Sequence, residues 1–348
     1  MEQEETNLNF PQDYLQYDKS HLIEQYDKLY DDIEHAYRAG DGLSLPEKNP
    51  EFDAVYILGM GGSSISGAFL ASYLQDLGIQ TPVHVVQSYN LPPYVTENSL
   101  VLAISYSGNT EETVSTYRQA LKITKYCYAF TTGGKLEEVA QIGRYPFLKV
   151  PKGYQPRTAA LSHLFFSVLR VLERLHVLPP QAETITRMLK SLEKTDFKQI
   201  GQQLSEKVMF TIPVFYASEK YWPAAYRAKT QINEHAKIHA FWHKYPELNH
   251  NELCGYQNVL ATYHVVAFRF DDDHRRVQKR MDITKVLAKK AGVSTTEIKL
   301  TGESFLTKLF SAILIGDYLA YYTALRYKTD PSPVNLIEDF KKEMGPFI

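Results

Sequence analysis

The sequence has little cysteine, no marked excess of charge of either sign and no long uninterrupted apolar stretch. Its two cysteines, Cys127 and Cys254, exclude the disulfide framework of a small secreted protein, and their apolar neighbours predict two buried, inert thiols. Lys and Arg number 38 against 40 Asp and Glu, which disfavours binding to nucleic acid or to an anionic membrane. The most apolar helical pattern, residues 305–326, contains a lysine and an aspartate and predicts a buried helix rather than a membrane span. The acidic start, Met1–Glu5, does not have the pattern of a signal peptide, so we expect a cytoplasmic protein.

Short apolar runs recur in both halves of the 348-residue chain and alternate with helical patterns. In the first half, the predicted strands are residues 54–58, 83–87, 100–105, 126–131 and 147–150. In the second half, they are residues 208–217, 262–270 and 297–300. Such strands are typical of parallel sheets that are covered on both faces. The predicted fold class is therefore α/β, with two doubly wound parallel-sheet domains and flanking helices: residues 1–155 with a helical N-terminal segment, and residues 156–348 with a C-terminal helix.

Residues 57–67 form the first of two strand-to-helix turns that are rich in glycine and hydroxyl groups. They are not a dinucleotide-binding fingerprint, because Ser64 stands where the third glycine is required, and they lack the Gly-Lys-Ser/Thr ending of a nucleotide-binding loop. The glycines allow a backbone to approach a ligand closely, and Ser63 and Ser64 add donors. A tight turn that binds no ligand is an equally good interpretation of this segment alone.

The second turn is the most informative feature of the sequence. An apolar strand leads into Ser105, Ser107 and Thr110, where a helix is predicted to begin. Unpaired backbone N–H groups at a helix start carry partial positive charge, and hydroxyls add donors without charge, so the turn suits a phosphate monoester. The spacing of Asn109 and Glu112 also fits a capping box. A cap does not require all three hydroxyls, and we therefore expect a phosphate site.

The two turns together resemble a sugar isomerase (SIS) domain. The resemblance lies in the stretch from Ser105 to Thr110, with Gly59–Gly67 before it. In that family, the Ser/Thr loop holds the phosphate of a phosphosugar.

The densest cluster of functional side chains lies in residues 231–237 and 245–252. A carboxylate from one segment and an imidazole from the other can form an acid/base pair. Three histidines in this region are spaced four apart: His235, His239 and His243. On a continuous helix they would share one face and suit zinc. Because residues 238–242 are β-prone, we expect the helix to end near Lys237, and zinc binding is the less favoured alternative.

Asn233-Glu234, together with residues 246–252, resembles the signature of the bifunctional phosphoglucose/phosphomannose isomerases, a family with two SIS domains. The resemblance covers the chain from about residue 50 to its end. The residues that it implies for phosphate binding are Gly62, Ser63, Ser105, Ser107 and Thr110. The catalytic residues that it implies are Arg157 for the enediolate, Glu234 as the base, His250 for ring opening and Lys341 at the ring oxygen, with Lys342 as the alternative to Lys341. It also implies a homodimer in which the histidine comes from the second subunit.

These residue types suit aldose–ketose isomerisation, which moves a proton between C1 and C2 of a sugar phosphate. A carboxylate can be the base where burial raises its pKa, and arginine stabilises the developing negative charge. The reaction needs no redox cofactor and demands no metal. The expected activity is interconversion of glucose 6-phosphate, mannose 6-phosphate or both with fructose 6-phosphate through a cis-enediol(ate). The alternatives are an isomerase with a single, different sugar phosphate as substrate and a non-catalytic SIS protein that binds sugar phosphates.

Overall fold

The computed structural model describes residues 10–47 and 50–346, and the acidic start Met1–Glu5 lies outside them. The chain divides into two compact units. The N-terminal unit contains Ile23–Ile185 and Pro346, and the C-terminal unit contains Thr186–Gly345 and the described residues up to Leu22. The domain boundary between residues 155 and 156 stays a prediction; in the structure, residues 156–185 pack within the N-terminal unit.

The N-terminal unit is built on a parallel sheet of five strands in the order β2-β1-β3-β4-β5. Its strands are β1 (Val55–Leu58), β2 (Val83–Val86), β3 (Leu100–Ile104), β4 (Cys127–Thr131) and β5 (Phe147–Lys149). Every residue of β1, β3 and β4 is buried, which accounts for their continuous apolar runs. All five predicted strands are confirmed, with ends that differ by no more than one residue.

The C-terminal unit contains a parallel sheet of four strands in the order β7-β6-β8-β9. Its strands are β6 (Ile212–Ser218), β7 (Phe241–Tyr245), β8 (Tyr263–Phe270) and β9 (Ser294–Leu300). The predicted strand at residues 208–217 starts too early, because the preceding helix runs to Lys207 and a turn follows it. Two parallel sheets with helices between their strands confirm the predicted fold class.

Helices connect the strands in both units. Those up to Arg174 are α1 (Leu22–Asp27), α2 (Leu29–Ala39), α3 (Gly61–Asp76), α4 (Glu111–Ala120), α5 (Gly134–Gly143), α6 (Pro156–Ala159) and α7 (Phe165–Arg174). Those that follow are α8 (Ala182–Leu192), α9 (Phe197–Lys207), α10 (Trp222–Gln231), α11 (Arg275–Lys290), α12 (Phe305–Arg326) and α13 (Asn335–Met344). The predicted buried helix is confirmed as α12. Within the described ranges, none of these helices has the length and apolar character that crossing a bilayer requires.

A buried ion pair joins α10 to α12. Arg227 Nε donates to Asp317 Oδ1 at 2.9 Å and Arg227 Nη2 donates to Asp317 Oδ2 at 2.7 Å. Both side chains are 0% exposed. Removing one partner of such a pair leaves a buried charge uncompensated and costs about 3–5 kcal/mol, so the pair fixes the two helices in one arrangement.

The two cysteines differ in their surroundings. Cys127 lies in β4, where burial raises the pKa of its thiol to about 12, which confirms the predicted inert group. Cys254 is exposed, so the prediction of a second buried thiol was wrong. Its neighbours are apolar in sequence, but the short 3-10 helix Glu252–Gln257 holds it at the surface.

Candidate functional site

Both glycine-rich turns lie at the carboxyl ends of neighbouring parallel strands. The first follows β1 and the second follows β3, and the two strands pair in register with Leu58 opposite Ala103. The strand order reverses direction at this position, since β2 lies on the other side of β1. In open α/β sheets, ligands bind in the crevice at such a switch point.

The hydroxyls of the second turn differ in their bonding: that of Ser105 is enclosed, while that of Ser107 accepts the Asn109 N–H at 3.3 Å and keeps its own proton to donate. Ser105 is buried; its Oγ lies 2.9 Å from Thr110 Oγ1 and accepts the Gly108 N–H at 3.1 Å. Ser107 is exposed and Thr110 is half-buried at the N-cap of α4, where its side chain makes no cap bond. Ser105 therefore shapes the turn, while Ser107 and Thr110 are placed to donate to a ligand.

The capping-box interpretation of Asn109 was wrong. The N-cap of α4 is Thr110, not Asn109. Asn109 Oδ1 instead accepts the backbone N–H of Lys135, at 3.1 Å, in the first turn of α5. Asn109 therefore links the second turn to the turn that follows β4.

The turn after β4 packs directly on the second glycine turn. Gly108 has a φ of +69°, and a Cβ at this position would lie 1.7 Å from the carbonyl oxygen of Gly133. Gly134, also with a φ of +69°, would place a Cβ 2.6 Å from Asn109 Oδ1. Sequence reasoning did not single out this third turn, although a Gly-Gly pair after a predicted strand was the signal available for it.

In the first turn, Ser63 and Ser64 have different surroundings. Ser64 Oγ donates to the Gly61 carbonyl at 2.8 Å and accepts from Gln87 Nε2 at 2.8 Å, so it stabilises the turn. Ser63 is 8% exposed, and its hydroxyl makes no hydrogen bond within residues 10–47 and 50–346. Of the two hydroxyls, that of Ser63 is the one available to a ligand.

Arg157 lies beside the first turn. A Cβ on Gly62 would lie 3.2 Å from the Pro156 carbonyl oxygen and 3.3 Å from Arg157 Cα, a tight contact, so glycine lets α3 and α6 begin close together without displacing either backbone. Arg157 is 3% exposed, in a helix that starts with proline. The structure thus brings Arg157 next to Gly62 and Ser63, from which it is more than 90 residues away in the sequence.

Glu234 lies in a π-helical segment, Ile232–Ala236, that continues α10, and its side chain is half-buried. Asn233 Nδ2 donates to the Ile238 carbonyl at 2.8 Å, and Lys237, with a φ of +59°, ends the segment. Such segments are rare and occur frequently at functional sites.

The helix therefore ends at Ala236, as expected, and the helical face that the zinc alternative requires does not form. His243 belongs to β7, and His239 lies in the connection before that strand. In the described part of the chain, no three His, Cys, Asp or Glu side chains are grouped so that they could hold a metal ion.

His250 ends a 3-10 helix, Glu247–His250, and is exposed. Two neighbours of His250 anchor this turn: Leu248 is fully buried, and Asn249 Nδ2 donates to Thr284 Oγ1 in α11 at 2.9 Å. The packing therefore fixes the turn while leaving the imidazole at the surface of the chain.

Lys341 and Lys342 lie on α13 and are exposed. Each pairs with a carboxylate three residues earlier: Lys341 Nζ with Glu338 Oε1 at 2.9 Å, and Lys342 Nζ with Asp339 Oδ1 at 3.0 Å. Apolar side chains on the same helix are also exposed, including that of Phe340.

Comparison with known families defines the class of protein. Residues 52–137 match the SIS domain family, and residues 193–344 match the family described as bacterial phospho-glucose isomerase C-terminal SIS domain. A glucosamine-6-phosphate deaminase from Thermotoga maritima has a similar structure, with a TM-score of 0.66 and 14% identity over 92% of this chain and 97% of the other. For a tagatose-6-phosphate ketose/aldose isomerase from Escherichia coli, the TM-score is 0.62, with 15% identity over 90% and 93%. At these identities the likeness concerns the fold.

Sequence relatives define the family more narrowly. A bifunctional phosphoglucose/phosphomannose isomerase from Caldicellulosiruptor bescii is 36% identical, over 93% of this chain and 99% of its own. One of the same description from Aquifex aeolicus is 35% identical, over 91% and 98%. A D-glucosamine-6-phosphate 4-epimerase from Sulfolobus acidocaldarius is 32% identical, over 67% and 71%. The chain belongs to the bifunctional phosphoglucose/phosphomannose isomerase family.

Two glycines with the same backbone conformation test the packing of the second turn. Gly78 has a φ of +70° and open space where a Cβ would be. Gly78→Ala should therefore lower the free energy of unfolding only by the roughly 1–2 kcal/mol that alanine costs in the left-handed conformation. Gly108→Ala adds a collision with a backbone carbonyl, so urea unfolding should show a larger loss of stability and calorimetry a weaker affinity for a hexose 6-phosphate. Equal losses of stability in the two variants would contradict the packing argument.

Proposed function

We propose that this protein is an aldose–ketose isomerase that interconverts glucose 6-phosphate and mannose 6-phosphate with fructose 6-phosphate. The observation that carries the proposal is the arrangement at the switch point of the N-terminal sheet. There, an unbonded Ser63 hydroxyl, a close backbone approach at Gly62 and a buried Arg157 lie together. The names of the relatives with near-complete coverage support the same activity.

The phosphate group of the substrate is assigned to the two glycine turns. Their hydroxyls and the N–H groups that start α3 and α4 provide neutral donors and the positive ends of two helix dipoles. The proposed ligands are Gly62, Ser63, Ser107 and Thr110, with Ser105 orienting Thr110 through their 2.9 Å contact. The guanidinium of Arg157 stabilises the enediolate oxygens as negative charge develops on them.

Proton transfer is assigned to residues of the C-terminal unit. Glu234 removes the proton from one of the two carbons C1 and C2 and returns it to the other. His250 helps to open the sugar ring, and Lys341 assists at the ring oxygen, with Lys342 as its alternative. The substrate is neither oxidised nor reduced overall, so the proposed route needs no redox cofactor, and because Arg157 stabilises the enediolate the route demands no metal.

We also propose that the enzyme is a cytoplasmic homodimer with two SIS domains in each chain and shared active sites. The exposed position of His250 at the end of a short 3-10 helix supports this, because a residue that completes the partner's site must lie at the surface of its own chain. A closed dimer is the commonest assembly among soluble homo-oligomers.

A single enediol intermediate accounts for two aldose substrates. C2 is not a stereocentre in the enediol, so rotation about the C2–C3 bond before reprotonation presents either face to one base. Purified enzyme should therefore convert both glucose 6-phosphate and mannose 6-phosphate to fructose 6-phosphate, measured in coupled assays. Tagatose 6-phosphate and glucosamine 6-phosphate complete the panel. Turnover of one aldose alone would remove the second activity, and turnover of glucosamine 6-phosphate alone would favour the activity for which the epimerase relative is named.

Replacement of the proposed base tests the mechanism. Glu234→Gln should lower kcat by about 10²–10⁴-fold, because the amide cannot accept the proton that moves in the transition state. Its affinity for a hexitol 6-phosphate, which binds but cannot isomerise, should change little. The matched control is Glu193→Gln, an exposed glutamate on the surface of the same unit, which should keep normal turnover. Near-normal kcat in Glu234→Gln would remove this carboxylate from the mechanism.

Shared sites predict complementation between two defective variants. Glu234→Gln and His250→Ala should each be weakly active alone. When the two chains are co-expressed, a mixed dimer contains one site with both defects and one with neither, so about a quarter of the wild-type activity should return. Sites built within single chains would give no recovery, and size-exclusion chromatography with light scattering would show whether the dimer itself forms.

A further inference from the structure

The backbone carbonyl of Pro331 accepts hydrogen bonds from His235 and Lys237, two residues near the end of the π-helical segment that contains Glu234. The Pro331 oxygen lies 3.0 Å from His235 Nδ1 and 3.4 Å from Lys237 Nζ. Pro331 lies between the end of α12 and the start of α13, the helix that carries Lys341. The segment that contains the proposed base is thus hydrogen-bonded to the connection that precedes α13, the helix that carries the proposed lysine.

The bonding of His235 fixes the protonation of its ring. A carbonyl oxygen can only accept, so Nδ1 carries a proton. Nε2 lies 3.1 Å from the amide nitrogen of Gln231, the last residue of α10, and accepts a hydrogen from it. The ring is 0% exposed and both of its nitrogens are bonded, so this histidine connects three elements and is enclosed by them.

The π-helical geometry explains why such bonds matter here. A π-helical turn departs from the regular α-helical hydrogen bonding, so its backbone needs other contacts to hold one conformation. Lys237 Nζ also donates to the carbonyl of Glu234 itself, and Asn233 bonds the Ile238 carbonyl. A general base must be held close to its productive geometry, and small displacements lower the rate sharply.

We propose that His235 is a positioning residue for the isomerase reaction. Its Nδ1–H bond to the Pro331 carbonyl holds the backbone near Glu234 against the connection that precedes α13. The positions of the base and of the helix that carries Lys341 are therefore determined together. The inference rests on the proposed function, because it assumes that Glu234 is the base.

The test compares two side chains of the same shape at position 235. In His235→Asn, the amide Nδ2 occupies the place of Nδ1 and donates to Pro331; in His235→Leu, a methyl group occupies it and the donor is lost. His235→Leu should lower kcat by about tenfold to a hundredfold with KM and hexitol 6-phosphate affinity little changed. His235→Asn should keep most of the wild-type kcat. A histidine that only filled space would give the same kcat in both variants, which would overturn the proposal.

Two further measurements keep the outcomes distinct. If His235→Leu does not fold, as judged by circular dichroism and thermal melting, Lys237→Met removes the second donor to the same carbonyl from an exposed position. It must then lower kcat at constant KM relative to Lys237→Arg, and equal kcat values overturn the proposal. Glu234→Gln, measured alongside, separates the two hypotheses: if it is inactive while the variants at 235 and 237 show no effect, the positioning role alone fails. If it is active, the assignment of the base fails and the positioning role with it.

Discussion

The geometry of the C-terminal unit depends on the buried ion pair between Arg227 and Asp317. With both side chains fully enclosed and two parallel N–H···O bonds between them, neither helix can shift without leaving a charge uncompensated. Arg227 lies in α10, which continues into the segment of Glu234, and Asp317 lies in α12, which leads to Pro331. The pair therefore holds the helix that leads into the Glu234 segment against the helix that leads to Pro331.

In the N-terminal unit, uncharged groups hold the two glycine-rich turns in place. Its turns are fixed by glycines that permit backbone contact, as at Gly108 against Gly133, and by hydroxyls such as Ser64 and Ser105 that bond within the turn. Neutral donors and helix N-termini bind an anion without adding a second buried cation beside Arg157. Under the proposed function, this suits a substrate that must bind and leave at every turnover.

Local sequence patterns predicted the fold well because the central strands are buried on both faces. The strand that was missed, β7, and the strand that was predicted too short, β9, are half-exposed and contain lysine, histidine or glutamate, so they show no continuous apolar run. The site was predicted only in part for a different reason. Asn109 fits a cap by spacing, yet it bonds Lys135 on another turn, and the contact of Gly62 with Arg157 joins segments that no local pattern connects.

The two π-helical segments show how long-range bonds complete what local sequence leaves undefined. One, Ala160–Leu164, comes directly after α6, which carries Arg157, and the other contains Glu234. In each, a fully buried side chain ties the segment to an element with another proposed site residue: Ser66 donates to the Ala160 carbonyl from the helix of Ser63, and His235 bonds the carbonyl that precedes the Lys341 helix. Since a buried bond to a backbone carbonyl accompanies each irregularity, the backbone that carries each segment is held in one arrangement, as a precisely built site requires.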